Sequence, residues 1–237
     1  MNRLIIIAKK EVKELLGNKG ILLTSLGFAI FFSVYQSMAL TSQKQSPVVM
    51  SMDGSMFFLT SAIGFFVTYL SVSQVFLREK MERVIETLLC APISLRQIWC
   101  GKLVAVTVFS YLISLSTALI ILVVLSYNSA SVVVPGLPVL AHIVLVLPVF
   151  IAALGGLMGY IQLLLGMREN RILNLVVMVP AMAAIYSIGL SAGSGMSISW
   201  IYIGGLLIVS MVLLIIIAVM TGRLSRERIV TTLPEVG

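Results

Sequence analysis

Six apolar runs divide the chain, at residues 20–40, 55–77, 103–126, 139–166, 172–190 and 200–221, and none of them contains Asp, Glu, Lys or Arg. A helix needs about 20 apolar residues to cross a hydrocarbon core about 30 Å thick, because each residue rises about 1.5 Å. The pattern therefore predicts an all-α membrane protein with six transmembrane helices, forming a single transmembrane domain over residues 1–237. Pro148 predicts a tilt or kink in the fourth run, and Pro180 a break in the short fifth run. The Gly- and Ser-rich stretch 191–199 reads as part of a re-entrant completion of that fifth span.

The polar positions between the runs set the orientation. Lys and Arg number five in residues 1–19, five in 78–102, two in 167–171 and three in the tail 222–237. The intervening loops, 41–54, 127–138 and 191–199, hold Lys44 alone. Cytoplasmic loops carry the excess of basic residues, so both termini and segment 78–102 are expected in the cytoplasm of a plasma (inner) membrane. Six spans independently require both ends on one side. The opposite loops are too short for a folded domain. At the N-terminus the apolar stretch Leu4–Ala8 is short and runs into Lys9, Lys10 and Lys13, which does not read as a cleaved signal peptide.

Two segments outside the runs are amphipathic. In residues 1–19, Leu4, Ile5, Ala8, Val12, Leu15 and Leu16 recur at helical spacing, with Lys9, Lys10, Lys13 and Glu14 on the other side. This predicts a helix lying in the membrane interface, ended by the turn at Gly17, Asn18, Lys19 and Gly20. The second segment lies between the second and third spans. Leu77, Met81, Val84, Ile85, Leu88 and Leu89 form one face, and Arg78, Glu79, Lys80, Glu82, Arg83 and Glu86 the other. Arg78–Glu82 and Glu79–Arg83 are i,i+4 pairs, each contributing a few tenths of a kcal/mol. Pro92 stops this helix, and Ser94 with Gln97 has capping-box spacing for a new one that enters the third span at about Lys102. A plain link between spans needs only a few residues. Topology calls for Lys and Arg, not for Glu79, Glu82 and Glu86. A mixed-charge helix with an apolar face suits docking to a soluble protein, with the charges setting orientation.

Composition agrees with the pattern. The chain is 59% hydrophobic and 11% charged, against roughly a quarter charged in soluble domains. The net charge of +7 comes from residues spread between apolar runs, not from an aromatic-laced basic patch, so nucleic acid is not an expected partner. Cys90 and Cys100 have no neighbouring His and read as ordinary small residues; no metal site or catalytic residue is expected. His142 is the one ionisable residue inside a run, and its place near a span end reads as interfacial. Proton- and sodium-coupled carriers need buried ionisable relays, so coupling of that kind is disfavoured. No phosphate-cradling Gly-x-x-x-x-Gly-Lys-Ser/Thr loop occurs, so the chain is not expected to hydrolyse ATP, nor to be an enzyme.

The spans also carry small and polar positions. Ser61, Gly64, Thr68 and Ser71 share one face of the second span, and Gly155 and Gly159 form a Gly-x-x-x-Gly in the fourth. Both patterns let helices approach closely. For the second span, lining of a pathway is an equal expectation. Gln74, Gln162 and Asn174 lie near the cytoplasmic ends of their spans, where they suit interhelical hydrogen bonds or an entrance.

Taken with the N-terminal amphipathic helix and the six spans, the stretch from Arg78 through Glu82, Arg83, Glu86, Leu88, Leu89, Pro92 and Ser94 to Gly101-Lys102 resembles the permease subunits of type-2 ABC exporters. Where that family often has Gly-Thr, Val84-Ile85 stands here. The resemblance implies a type V exporter-like fold with an elbow helix at 1–19, spans one and two at 20–77, a coupling segment at 78–102, spans three to six at 103–221 and a tail at 222–237. It implies an ABC ATPase subunit docking on Glu79, Met81, Glu82, Arg83, Ile85, Glu86, Leu88 and Pro92. ATP and Mg would be held in that partner, with no cofactor on this chain. A second permease copy or homologue would complete the complex, in contact with membrane lipids. The second and fifth spans would line the substrate path, with Ser61, Thr68, Ser71, Asn174 and Tyr186 as candidate lining. The implied function is export of a lipid, drug, peptide or ion. The alternatives are a non-transporting scaffold, immunity or assembly factor, and a cytochrome-maturation-type exporter subunit.

Overall fold

In hydrocarbon no water is present to satisfy backbone N–H and C=O groups, so a spanning segment must bond them internally, and apolar runs become helices. A computed structural model describes residues 3–42, 48–78, 94–129, 134–164 and 200–222, with Val179 and Ala183 as isolated positions. Every regular element among the described residues is helical. In chain order these are α1 (Arg3–Gly17), α2 (Lys19–Ser42), α3 (Val48–Val72) prolonged by a π-turn (Ser73–Leu77), and α4 (Leu95–Ser129). There follow α5 (Leu137–Ala141), a second π-turn (His142–Val146), α6 (Leu147–Leu164) and α7 (Trp200–Thr221).

Five helical stretches among the described residues are long and apolar enough to cross a membrane: Lys19–Leu40, Met52–Phe76, Arg96–Asn128, Leu137–Leu164 and Trp200–Thr221. The described residues are all-α, and the chain is a multi-pass membrane protein. The expected span at 172–190, the stretch 191–199 and most of the tail lie outside the described residues, as does segment 79–93.

Local chemistry accounts for several helix ends. Asn18 separates α1 from α2: its N–H donates to Glu14 O at 3.0 Å, and its Oδ1 accepts from Gly20 N at 3.2 Å and Ile21 N at 3.4 Å. One residue thus ends the first helix and caps the second. At Ser94 the expected capping box is formed, Gln97 N donating to Ser94 Oγ at 3.3 Å and Ser94 N to Gln97 Oε1 at 3.4 Å. From there α4 runs as one rod of 35 residues. Pro148 has no N–H, and its ring crowds the carbonyl four residues back. The helix widens into the π-turn His142–Val146 immediately before it.

The arrangement of apolar side chains inverts that of a soluble protein. Lipid tails are as apolar as leucine, so large aliphatic residues gain little by turning inward, and close packing decides what is central. In α3, 78% of the spanning window is buried, against 22% in α2 and 17% in α7. Ile201, Ile208, Val212, Ile215 and Ile216 of α7 face outward, as do Phe28, Phe31, Phe32 and Tyr35 of α2. The helix at the centre is the one rich in small and hydroxyl residues. Two of its hydroxyls are satisfied locally: Thr60 donates to Met56 O at 2.7 Å and Thr68 to Gly64 O at 2.6 Å. Around α3 pack α2, α4 and α6, with α7 against α6 and α1 against α4.

Candidate functional site

Two polar features are built into this bundle. The first lies where α1 meets the start of α4 and the end of α3. Along α1 the buried line is Ala8, Glu11 and Leu15, with Leu4 and Ile7 above it, while Ile5 and Leu16 are about half exposed. The protein-facing stripe is therefore rotated from the apolar face expected from spacing. Ile5 and Leu16 instead lie on the same flank as Val12, toward Lys9 and Lys13, an arrangement suited to the membrane interface. Gly101 permits the approach of α1 to α4. A Cβ at that position would stand 2.8 Å from Ile7 Cγ2, 3.0 Å from Ile7 Cβ and 3.3 Å from Leu4 O.

One residue further on, Lys102 Nζ donates to Glu11 Oε1 at 2.9 Å and to the Val75 carbonyl at 3.3 Å. The ammonium also lies 5.9 Å from the centroid of the Phe76 ring. The side chains of Lys102 and Glu11 are only 5% and 4% exposed. Val75 and Phe76 belong to the π-turn that ends the second span. A single ammonium therefore joins three elements: the N-terminal helix, the foot of the second span and the foot of the third. Lys10–Glu14, an i,i+4 pair at 3.5 Å on the outside of the same helix, is more than half exposed. Such exposed pairs contribute about 0.3–0.5 kcal/mol, whereas removing one partner of a buried pair costs about 3–5 kcal/mol.

The same end of the bundle is tied to α6. Gln162 Nε2 donates to Ser73 Oγ at 3.4 Å, and a Cβ on Gly159 would meet the Phe76 ring at 3.0 Å. The π-turn is thus held from α4 and from α6, with α1 joined to it through Lys102. Arg78, exposed, leaves it, and segment 79–93 follows. The chain is described again at Ser94, about 12 Å along the α4 axis from Lys102.

The second feature is a polar seam inside the bundle. Ser61 lies 3.1 Å from His142 Nε2, and the His142 ring packs on Phe57 with centroids 4.4 Å apart. His142 has no exposed surface, so it is an interior residue of the fourth span and not an interfacial one. Its Nδ1 has no hydrogen-bond partner among the described residues. Lower on α3, a Cβ on Gly64 would stand 2.9 Å from Ser114 Oγ and 3.2 Å from Ile151 Cδ1, and Thr68 Cγ2 lies against Gly155. Thr68 and Ser71 have no exposed surface, and Ser61 is 4% exposed. At the opposite end, Asp53 Oδ1 accepts from Gly136 N at 2.9 Å, which ties the start of the second span to the entrance of the fourth.

Of the residues singled out from sequence, Ser61 thus meets the second π-turn at His142, Thr68 meets α6 at Gly155, and Ser71 is buried further along α3. Glu79, Met81, Glu82, Arg83, Ile85, Glu86, Leu88 and Pro92 lie outside the described residues, as do Asn174 and Tyr186. Glu11 was missed. Two signals pointed to it: it shares the i, i+3, i+7 line of Ala8 and Leu15, and it is an acid within a terminus whose topology requires only bases.

A comparison with protein-family models and with curated proteins gives no match to this chain.

Proposed function

We propose that this chain is the membrane-embedded permease subunit of an ATP-driven exporter resembling the type-2 ABC class, with both termini and segment 79–93 in the cytoplasm. The observation that carries the reading is the way both feet of that segment are secured. The second span ends in a π-turn held by Lys102 and Gln162, and the third begins in a rod anchored by the same Lys102. A loop serving only as a link needs no such anchorage. A segment that receives force does, because force is passed on only by elements fixed to one another.

In this mechanism a separate ATPase subunit, holding ATP and Mg, docks on the mixed-charge segment. Glu79, Glu82, Arg83 and Glu86 orient it, while Met81, Ile85 and Leu88 fill its groove up to Pro92. Closure of the ATPase on nucleotide moves the segment and the feet of α3 and α4 with it. Ser61, Thr68 and Ser71 are sealed between helices in the present arrangement, so a path along them opens only when α3 parts from α4 and α6. Asn174 and Tyr186 of the fifth span, a second permease copy and the surrounding lipid complete that path. The seam suits an apolar or amphipathic cargo, since among the described residues it carries no carboxylate or ammonium to meet a charged one.

Charge reversal at Glu82 and Glu86 (E82K/E86K) tests the reading. The variant is expected to insert and fold as the parent does, yet to lose stimulation of the ATPase subunit. Stimulation equal to that of the parent contradicts the proposal.

A further inference from the structure

We infer that Glu11 is a positioning residue for coupling: through Lys102 it binds the N-terminal helix to both feet of segment 79–93, so that the three elements move as one rigid handle. The inference rests on the permease reading above and assigns it a moving part that the sequence pattern placed only at the membrane surface.

The argument begins with what a buried ion pair does. Its mutual attraction is largely offset by the loss of water around both charges, and an apolar pair of similar volume holds a fold as well or better. The best-attested use of such a pair is to fix one register among alternatives. Here the alternatives are concrete. α1 packs on α4 with the Ile7 side chain against Gly101 and with Leu15 buried in the apolar core that α4 shares. Apolar contacts of this kind are non-directional and tolerate sliding. Lys102 has three N–H donors radiating from one atom. Two of them are committed to partners on different elements, Glu11 on α1 and the Val75 carbonyl at the foot of α3. Sliding of any one element stretches at least one of these bonds.

The Val75 carbonyl is also the right group for Lys102 to hold. It lies within the π-turn, where the backbone ladder departs from the regular α pattern. Gly101 adds the second constraint, because its missing Cβ sets the depth at which α1 sits against α4. Depth is fixed at Gly101 and register at Lys102, through Glu11, from adjacent positions on α4. A helix needed only as a topology anchor requires neither.

The experiment uses the full chain in lipid nanodiscs, with Cys90 and Cys100 replaced by serine and alanine. Spin labels are placed pairwise at Lys13 on α1, Arg78 at the foot of α3 and Arg96 at the foot of α4, all exposed. Distance distributions are recorded for the isolated chain, then with the ATPase subunit, with and without a non-hydrolysable ATP analogue and Mg. In the parent, all pairwise distances are expected to be narrow and to keep their peaks on nucleotide binding. In Glu11→Gln the 13–78 distribution is expected to broaden already in the isolated chain. E11M/K102M, which restores apolar packing without the pair, separates positioning from mere structure. It is expected to melt near the parent but to lose nucleotide-stimulated hydrolysis, while Lys102→Arg, which keeps the charge and the donors, retains it. An E11M/K102M variant that couples like the parent, or a 13–78 distribution unchanged in Glu11→Gln, overturns the inference. If the parent recruits no ATPase, the permease reading fails, and the isolated-chain distances still decide whether Glu11 fixes the handle.

Discussion

Replacing Glu11 with alanine leaves the Lys102 ammonium in a site built for a pair. At 2.9 Å and an effective dielectric of about 20, the lost attraction is about 6 kcal/mol before the change in hydration is counted. Lys102 keeps the Val75 carbonyl at 3.3 Å and the Phe76 ring at 5.9 Å, and its flexible stem can carry the charge toward water. These terms place the net loss near the lower end of the range for breaking a buried pair, about 3 kcal/mol. The control sits on the same helix. Glu14 pairs with Lys10 at 3.5 Å with both side chains more than half exposed, and Glu14→Ala is expected to cost about 0.5 kcal/mol or less. Removing both charges in E11A/K102M is expected to recover most of the loss, because the buried ammonium is removed together with its carboxylate partner. A thiol-reactive fluorophore on the detergent-solubilised chain follows unfolding, with Cys90 replaced by serine so that the half-buried Cys100 reports from the junction itself. The ordering of the three variants is the test. If Glu11→Ala melts with Glu14→Ala, the pair is not desolvated as described, and the reasoning fails.

Gly101→Val is expected to push α1 off α4, because even a Cβ would lie 2.8 Å from Ile7; a loss of about 1–3 kcal/mol and greater labelling of Cys100 in the same melting assay check this. Gly64→Val places atoms against Ser114 and Ile151 and is expected to destabilise the bundle by a similar amount, read as a lower melting temperature. Ser61→Ala removes the partner of His142 Nε2 and is expected to cost about 0.5–2 kcal/mol, the range for interhelical hydrogen bonds in membranes, with His142→Leu costing less than Ser61→Ala alone. Asp53→Ala frees the Gly136 N–H and is expected to raise proteolysis between the third and fourth spans without altering the Lys102 junction at the other end.

What sequence could read was what a period or a composition carries. Five of the six apolar runs are helices long and apolar enough to cross a membrane among the described residues, and the run at 200–221 has the bounds assigned from sequence. The Ser94–Gln97 capping box was legible because both its bonds are local. The disturbance near Pro148 was legible because proline acts on its own helix, although the outcome, a π-turn ending two residues earlier, depends on packing. The pairing of Glu11 with Lys102 was not legible. It joins residues 91 positions apart, and sequence periodicity reports which face a residue shares, not what lies opposite it. The orientation of α1 was misjudged for the same reason. Ile5, Val12 and Leu16 make as good an apolar stripe as the line that is in fact buried, and only the approach at Gly101 decides between them. His142 followed the same course: its distance from the span end suggested an interfacial residue, and Ser61, 81 positions away, draws it inside.

The most direct measurement places a photoactivatable cross-linking residue at Met81, within the segment between the second and third spans, and identifies what it captures in intact membranes. The expected product joins this chain to a subunit that hydrolyses ATP, and it disappears in E82K/E86K. Capture only of lipid, or reaction of the same position with an impermeant reagent from outside the cell, contradicts the claim that this segment is where the bundle is driven.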